Sequence, residues 1–343
     1  MIAYLCRLAP ALALMLAACH VNAEPPTRPR ALRPGDTIML VAPAGELNKK
    51  RVMLAVERLQ ERGFKVVVPD TLFRQRGYLA GTDEERAEEL MRAFRDPEVD
   101  AVFPGTGGYG VTRMLPLLDW EEIARHPKIV IGFSDITALH LAIAAKCNLV
   151  TFHSPNPQYG LGSDDDLTPY SAKYFWRNIL ASENTGPQGF RYEQPASVGP
   201  LKRIAGGRVE ATATGGNLSL LAATIGTPYE VITDGRILFV EDVREAPYRI
   251  DRMLSQLKLA GKLDKLAGVV LGQFRDCDEK DDEGSLSLAQ VFDDYFADAP
   301  YPVVSNFAAG HVSQNGTVPF GVPCRLDAEA LTFEVLENPV SVE

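Results

Sequence analysis

Short apolar runs alternate with amphipathic stretches along the first half of the chain. Ile38–Ala42 reads as a strand ending at Pro43-Ala44-Gly45, after which Val52, Val56 and Leu59 share one helical face. Lys65–Val68 reads as a second strand. The next helix opens with Thr82 and Glu85 at capping-box spacing and runs through Leu90 to Phe94. Ala101–Phe103, Lys128–Ile131 and Leu149–Phe152 supply three more strands. Strands alternating with helices predict a parallel sheet covered on both faces, with sites at the carboxyl ends of its strands.

Residues 154–200 break this rhythm with prolines, glycines, three consecutive aspartates and a short aromatic helix around Tyr174–Trp176, and read as a crossing between domains. The pattern resumes with a strand over Arg208–Thr214, and Gly215-Gly216-Asn217-Leu218 opens a helix. Ile237–Val240 leads into Glu241, and Ile250, Met253, Leu254 and Leu257 mark a helix that stops at Gly261. Val269–Leu271, Val303–Asn306 and Leu331–Val335 are further strands, and the acidic run Asp276–Glu283 reads as a solvated loop.

Length and composition change the picture little. At 343 residues, with 46% hydrophobic and 23% charged residues, the chain is expected to fold as two globular domains. The net charge of -10 argues against nucleic acid as the main partner. The N-terminus changes it more. Arg7 followed by the apolar run Leu8–Ala18 reads as an export leader over residues 1–23, too short to span a membrane. Leu16-Ala17-Ala18-Cys19 resembles the lipobox of bacterial lipoproteins, in which the cysteine is acylated. The competing reading is cleavage after Val21-Asn22-Ala23, which releases a soluble periplasmic protein. The lipobox is favoured, and either way the expectation is export. Of the five cysteines, Cys147, Cys277 and Cys324 lie in the folded body. No pair has metal spacing, and a Cys277–Cys324 bridge is left open.

The candidate chemistry begins at Ile131-Gly132-Phe133-Ser134-Asp135, where a strand breaks into a helix. A serine on such a turn projects its hydroxyl above the sheet, next to the free amides of the helix start. The usual nucleophile elbow carries a second glycine two residues after the serine, and here that position is Ile136. A serine needs a base, and the base needs a carboxylate to fix its tautomer. His140 shares the apolar face of Ile136, Leu139 and Ile143 and reads as core; His126, beside Pro127, reads as surface. His153 follows a strand end and is a second candidate for the base. His311, in the polar loop Gly310-His311-Val312-Ser313, is the first. Glu241, at the end of an apolar strand, is the candidate carboxylate, with Glu245 in reserve. Gly105-Thr106-Gly107-Gly108-Tyr109-Gly110 also fits a dinucleotide fingerprint, but Asp119 lies too near to be its ribose-binding acid, and that reading is set aside.

Five segments together resemble the L,D-carboxypeptidases, a family that includes murein tetrapeptide carboxypeptidases and microcin-immunity hydrolases. They are Gly107-Gly108-Tyr109-Gly110; Gly132-Phe133-Ser134-Asp135; Gly215-Gly216-Asn217-Leu218 with Gly226-Thr227-Pro228; Glu241 through Arg249; and Gly310-His311 with Pro319-Phe320-Gly321. The resemblance covers residues 33–335. It implies Ser134 as nucleophile, His311 as general base and Glu241 as the group holding His311. It also implies an N-terminal α/β domain related to class I amidotransferases, a smaller β-rich C-terminal domain, and commonly a homodimer. Backbone amides of Gly108 and Asp135 are assigned as oxyanion donors, and Tyr109, Asn217 and Glu245 as candidate substrate contacts. The expected organisation is a leader over 1–23, a linker over 24–34, an α/β domain over 35–180, an interdomain linker over 181–205 and the β-rich domain over 206–343.

The expected reaction is metal- and cofactor-free release of terminal D-alanine from murein tetrapeptides outside the inner membrane, with membrane attachment through acylated Cys19. One departure matters: well-known members carry an arginine where this chain has Thr106, so a substrate carboxylate must be held elsewhere or the substrate differs. Arg249 and Arg252 are candidate anchors, although a solvated helix face explains both. The rival readings keep the triad but act on peptidyl-nucleotide or other amide conjugates, or bind murein peptides without cleaving them.

Overall fold

The computed structural model describes residues 24–184, 189–279 and 284–342. Its strands, in chain order, are β1 (Thr37–Val41), β2 (Lys65–Val67), β3 (Ala101–Pro104), β4 (Ile129–Gly132), β5 (Thr151–His153), β6 (Phe190–Arg191) and β7 (Lys202–Ala205). They continue with β8 (Arg208–Asn217), β9 (Ile237–Val243), β10 (Gly268–Arg275), β11 (Val303–Ser305), β12 (Val318–Phe320), β13 (Pro323–Asp327) and β14 (Thr332–Val335).

The first sheet runs β12-β5-β4-β3-β1-β2, and its first five strands in chain order pair in parallel. Strands β3 and β4 are buried at every position, because helices cover both faces and an all-apolar run is stable only there. The Thr82–Glu85 capping box is present at the start of the helix Asp83–Arg95. Strand β12 comes from far down the chain and pairs antiparallel with β5, so the C-terminal half closes the first sheet. The aromatic helix expected near Tyr174–Trp176 runs from Pro169 to Ile179 behind a Thr168 cap, with Tyr174 and Phe175 in the core.

The second sheet runs β6-β14-β13-β8-β9-β10-β11-β7, with β8 to β11 parallel and its outer pairs antiparallel. This gives a mixed α/β architecture, with a parallel-sheet N-terminal part and a second sheet behind it. A single buried cluster joins the two, running from Ile38, Phe103 and Phe152 to Phe239, Phe307 and Phe333.

The sheets meet at the end of β8. Gly215 and Gly216 have φ of 130° and 131°, and a Cβ on Gly216 would lie 2.6 Å from the Thr137 side chain. Only glycine lets β8 come this close to the helix Thr137–Cys147, where the Asn217 amide donates to Thr137 Oγ1 at 3.0 Å. The helix expected from Gly215 starts later, at Leu218, because those glycines extend the strand.

Candidate active site

Ser134 follows β4 and opens a short 3₁₀ turn, Ser134–Ile136, that leads into the helix Thr137–Cys147. Its φ is 62°, a left-handed backbone that a side-chain-bearing residue adopts only when its surroundings enforce it. The missing elbow glycine has a physical substitute. Ile136 packs over Gly132, where a Cβ would come within 2.9 Å of its side chain, and Gly107 packs on the serine itself, where a Cβ would come within 2.8 Å of Ser134 Cβ. Crowding at the turn is thus relieved at Gly132 and Gly107 rather than at position 136.

Asp135 ties the turn to the glycine loop. Its buried carboxylate accepts the Val111 amide at 2.8 Å. Burial pushes this carboxyl up to about 6, against the pull of the Val111 and Gly110 amides and of Arg86. Arg86, itself fully buried, donates to the carbonyls of Gly110 (2.9 Å) and Pro43 and so fixes the far end of the loop.

The second half supplies an imidazole and a carboxylate. His311 Nδ1 lies 2.6 Å from Glu241 Oε2. Gly310 makes this approach feasible: its φ is 122°, and a Cβ there would sit 2.8 Å from Glu241 Oε2. Glu241 is fully buried in β9. Burial alone would raise its carboxyl, but the charges and hydrogen bonds of His311 and His153 outweigh that and hold it well below the usual range.

Ser134, His311, Gly107 and Gly108 border one cavity of about 690 Å³ between the two sheets. Among the described residues, no hydrogen bond joins Ser134 Oγ to His311, and the imidazole ring packs against Phe133 at 4.8 Å between centroids.

The remaining histidines sort by position. His153, the second candidate for the base, is fully buried behind Glu241 with Nε2 3.7 Å from Glu241 Oε1, walled in by Phe133, Phe239 and Phe320. It does not reach the cavity, because β5 turns it inward. His140 is a core residue whose Nε2 meets the Gly132 carbonyl at 2.9 Å, and burial pushes it down to about 3. His126 pairs with Glu122 on the surface at 3.2 Å.

Three expected substrate contacts lie elsewhere. Asn217 stands opposite Glu241 in the parallel register of β8 and β9. Its buried amide donates to Glu241 Oε1 at 3.3 Å and Asp242 Oδ1 at 3.1 Å, so it steadies the carboxylates from behind. Asp242, pushed up to about 6 by burial and by Glu241, accepts from the amide and hydroxyl of Ser219 at 2.9 and 2.8 Å. Tyr109 lies on the surface against Tyr78, and Glu245 pairs with Arg249 at 3.3 Å; neither lines the cavity. Arg252 stacks over Tyr248, also outside it. Cys147, Cys277 and Cys324 are free thiols, so the bridge left open by the sequence is not formed.

The sequence reading missed part of the wall. Asp164, Asp165 and Asp166, placed there in a domain crossing, line the cavity, as do Arg244 and Arg275. The run of three aspartates in the irregular stretch between β5 and the helix Pro169–Ile179 was the available signal for the first group. Arg244 falls inside the Glu241–Arg249 segment singled out in the sequence, without a role given to it, and nothing local marked Arg275.

Fold and relatives define the class first: a serine-type carboxypeptidase, a hydrolase of peptide bonds. Residues 38–154 match the LD-carboxypeptidase N-terminal domain and residues 210–326 the LD-carboxypeptidase C-terminal domain. The probable murein peptide carboxypeptidase of Bacillus subtilis is 42% identical, over 92% of this chain and 95% of its own. The murein tetrapeptide carboxypeptidase of Pseudomonas aeruginosa is 34% identical, over 86% and 94%. Among solved structures, MccF in complex with glutamyl sulfamoyl guanosine superposes with a TM-score of 0.83 at 28% identity, covering 92% of this chain and all of that one. The chain belongs to the LD-carboxypeptidase family.

Proposed function

We propose that the chain is an exported carboxypeptidase that releases terminal D-alanine from murein tetrapeptides by cleaving the L,D-peptide bond. The observation that carries this reading is the 2.6 Å contact of His311 Nδ1 with buried, ionised Glu241, at the edge of the cavity that Ser134 also borders. The Glu241 carboxylate fixes the Nδ1–H tautomer and leaves Nε2 as the base.

His311 Nε2 takes the Ser134 proton as Oγ attacks the scissile carbonyl. The amides of Gly108 and Asp135 receive the developing oxyanion. The imidazolium then protonates the leaving D-alanine amine, and the acyl-enzyme forms. Water activated by the same nitrogen releases the shortened peptide. Substrate closure brings the Ser134 hydroxyl into hydrogen-bond reach of His311, since such bonds are often unmade in the free enzyme.

Purified protein incubated with tetrapeptide tests the reaction. Free D-alanine is expected, with none from Ser134→Ala. A murein stem peptide that binds but yields no D-alanine would favour a binding protein instead. The likeness to MccF bound to a glutamyl sulfamoyl nucleoside supports a second reading, hydrolysis of acyl-nucleotide conjugates by the same residues. Assaying both substrate types side by side separates the two.

Export rests on the leader, including Cys19, which lies outside the described residues. Recovery of the protein in the membrane fraction, shifted to the soluble fraction by Cys19→Ser, is the expected result for acylation. Recovery in the cytoplasm would overturn export.

A further inference from the structure

We propose that Arg244 and Arg275 form the subsite that holds the carboxylate of the leaving residue. The inference rests on the carboxypeptidase reading above and adds what makes the cleft select a free chain end.

The first observation is backbone strain where none is needed for the fold. Arg244 sits in the turn just past β9 with φ of 59°, a left-handed conformation that glycine adopts freely and an arginine does not. Its amide donates to the Arg275 carbonyl at 2.8 Å, so the end of β10 holds the turn in place. Glycine would satisfy that hydrogen bond equally well. The side chain at position 244 is therefore what the strain accommodates.

The second observation is where the two guanidinium groups stand. Both residues line the cavity shared by Ser134 and His311. Their side chains are 76% and 53% exposed, and both reach toward one carboxylate, Asp276, at 3.8 and 3.5 Å. Asp278 and Glu279 also border Arg244, so the rim is mixed in charge, and the two guanidinium groups hold Asp276 only at long range. Two long ion pairs to one exposed carboxylate are weak and easily exchanged for a better-placed anion. A guanidinium offers a planar donor fork that matches a carboxylate.

The third observation fixes the side of the cavity. Arg275 Nη1 lies 3.4 Å from the His311 carbonyl oxygen, so the pair flanks the loop that carries the imidazole. In the proposed reaction that imidazole protonates the leaving amine, and in a C-terminal residue the carboxylate is one carbon away from that amine. The other charged lining residues are Arg51, stacked over Tyr159, and the three aspartates Asp164, Asp165 and Asp166. Asp164 and Asp165 come from the first-sheet half and would repel a carboxylate while favouring an ammonium. Thr106 lines the cavity without charge and Arg51 is stacked over Tyr159, so the cations beside the loop that carries His311 are Arg244 and Arg275.

The test uses full-length protein carrying Ser134→Ala, so that binding is read without turnover. Calorimetry compares murein tetrapeptide ending in a free carboxylate with the same peptide ending in a carboxamide. With Arg244 present, the carboxylate is expected to bind roughly 10- to 100-fold tighter, the worth of a charge-assisted pair. Adding Arg244→Gly, which relieves the strain and so keeps the fold, should shrink that preference to within about threefold. Arg275→Gln should reduce it as well, and Arg244→Lys should restore part of it.

Full preference surviving in Arg244→Gly overturns the proposal. So does equal affinity for the two peptides, or no binding of either, when Arg244 is present. Failure of the reaction looks different. If the protein with Ser134 intact releases no D-alanine but the carboxylate preference still depends on Arg244, the reaction assignment falls and the anchor stands.

Discussion

The two halves build their shares of the site in opposite ways. The first half positions Ser134 through local crowding: a left-handed φ, Gly132 beneath Ile136, and Gly107 against the serine side chain. The second half makes its pair through distance in sequence, with His311 and Glu241 seventy residues apart and joined at 2.6 Å. A local device shows itself in a short motif. A long-range one exists only once β9, β10 and the loop after β11 have assembled.

The largest expected effect removes either partner across the divide. Ser134→Ala and His311→Ala should each lower kcat by roughly a million-fold, because residues of such a unit fail together. Steady-state D-alanine release checks this, and thermal melts confirm that both variants stay folded. Glu241→Gln should cost roughly 10,000-fold, since the wrong tautomer of His311 then predominates. A variant within tenfold of the parent would remove Glu241 from the account.

The next comparison pits one glycine from each half against the other. Gly310→Ala sets a Cβ 2.8 Å from Glu241 Oε2, and Gly107→Ala sets one 2.8 Å from Ser134 Cβ. Each should lower kcat/KM by roughly 100-fold through misplacement. Only Gly310→Ala should disturb the His311 imidazole resonances followed by NMR.

The smallest effect is in the pH dependence of stability, and here Asp135 and Glu241 differ in sign. Asp135 has a carboxyl raised in the fold, so it contributes most below its unfolded value, and that contribution falls as pH rises toward about 6. Asp135→Asn keeps an oxygen for the Val111 amide and should remove that loss, by up to about 3 kcal/mol. Glu241 has a carboxyl lowered in the fold, so its contribution is present above its unfolded value and is lost as pH falls toward the folded one. Glu241→Gln should therefore flatten the acid limb. Denaturant melts from pH 3 to pH 8 separate the two slopes.

The same asymmetry explains what was legible in the sequence. Strands β1, β3 and β4 announced themselves because burial on both faces demands unbroken apolar runs, and the Thr82–Glu85 cap marked its helix. Strands β12 and β13 did not: they are short, carry Pro319 and Pro323, and are held by partners far away, β5 and β8. The helix Leu288–Phe296 has a Ser287–Gln290 capping box, but the sequence reading assigned no element between the acidic run Asp276–Glu283 and the strand at Val303. Asn217 was legible as a polar residue at a helix start. Its direction, toward Glu241 rather than the cavity, depends on the β8–β9 register, which no local pattern encodes. Arg244 needed its backbone angle to stand out.

The convergence of the two halves is tested most directly by the rate at which a fluorophosphonate labels the protein, with the adduct located by mass spectrometry. The account predicts a single adduct, on Ser134, forming roughly 1,000-fold or more slowly in His311→Ala and Glu241→Gln, although neither residue belongs to the first half. Labelling that proceeds at the parent rate in both variants, or that lands on another serine, would contradict it.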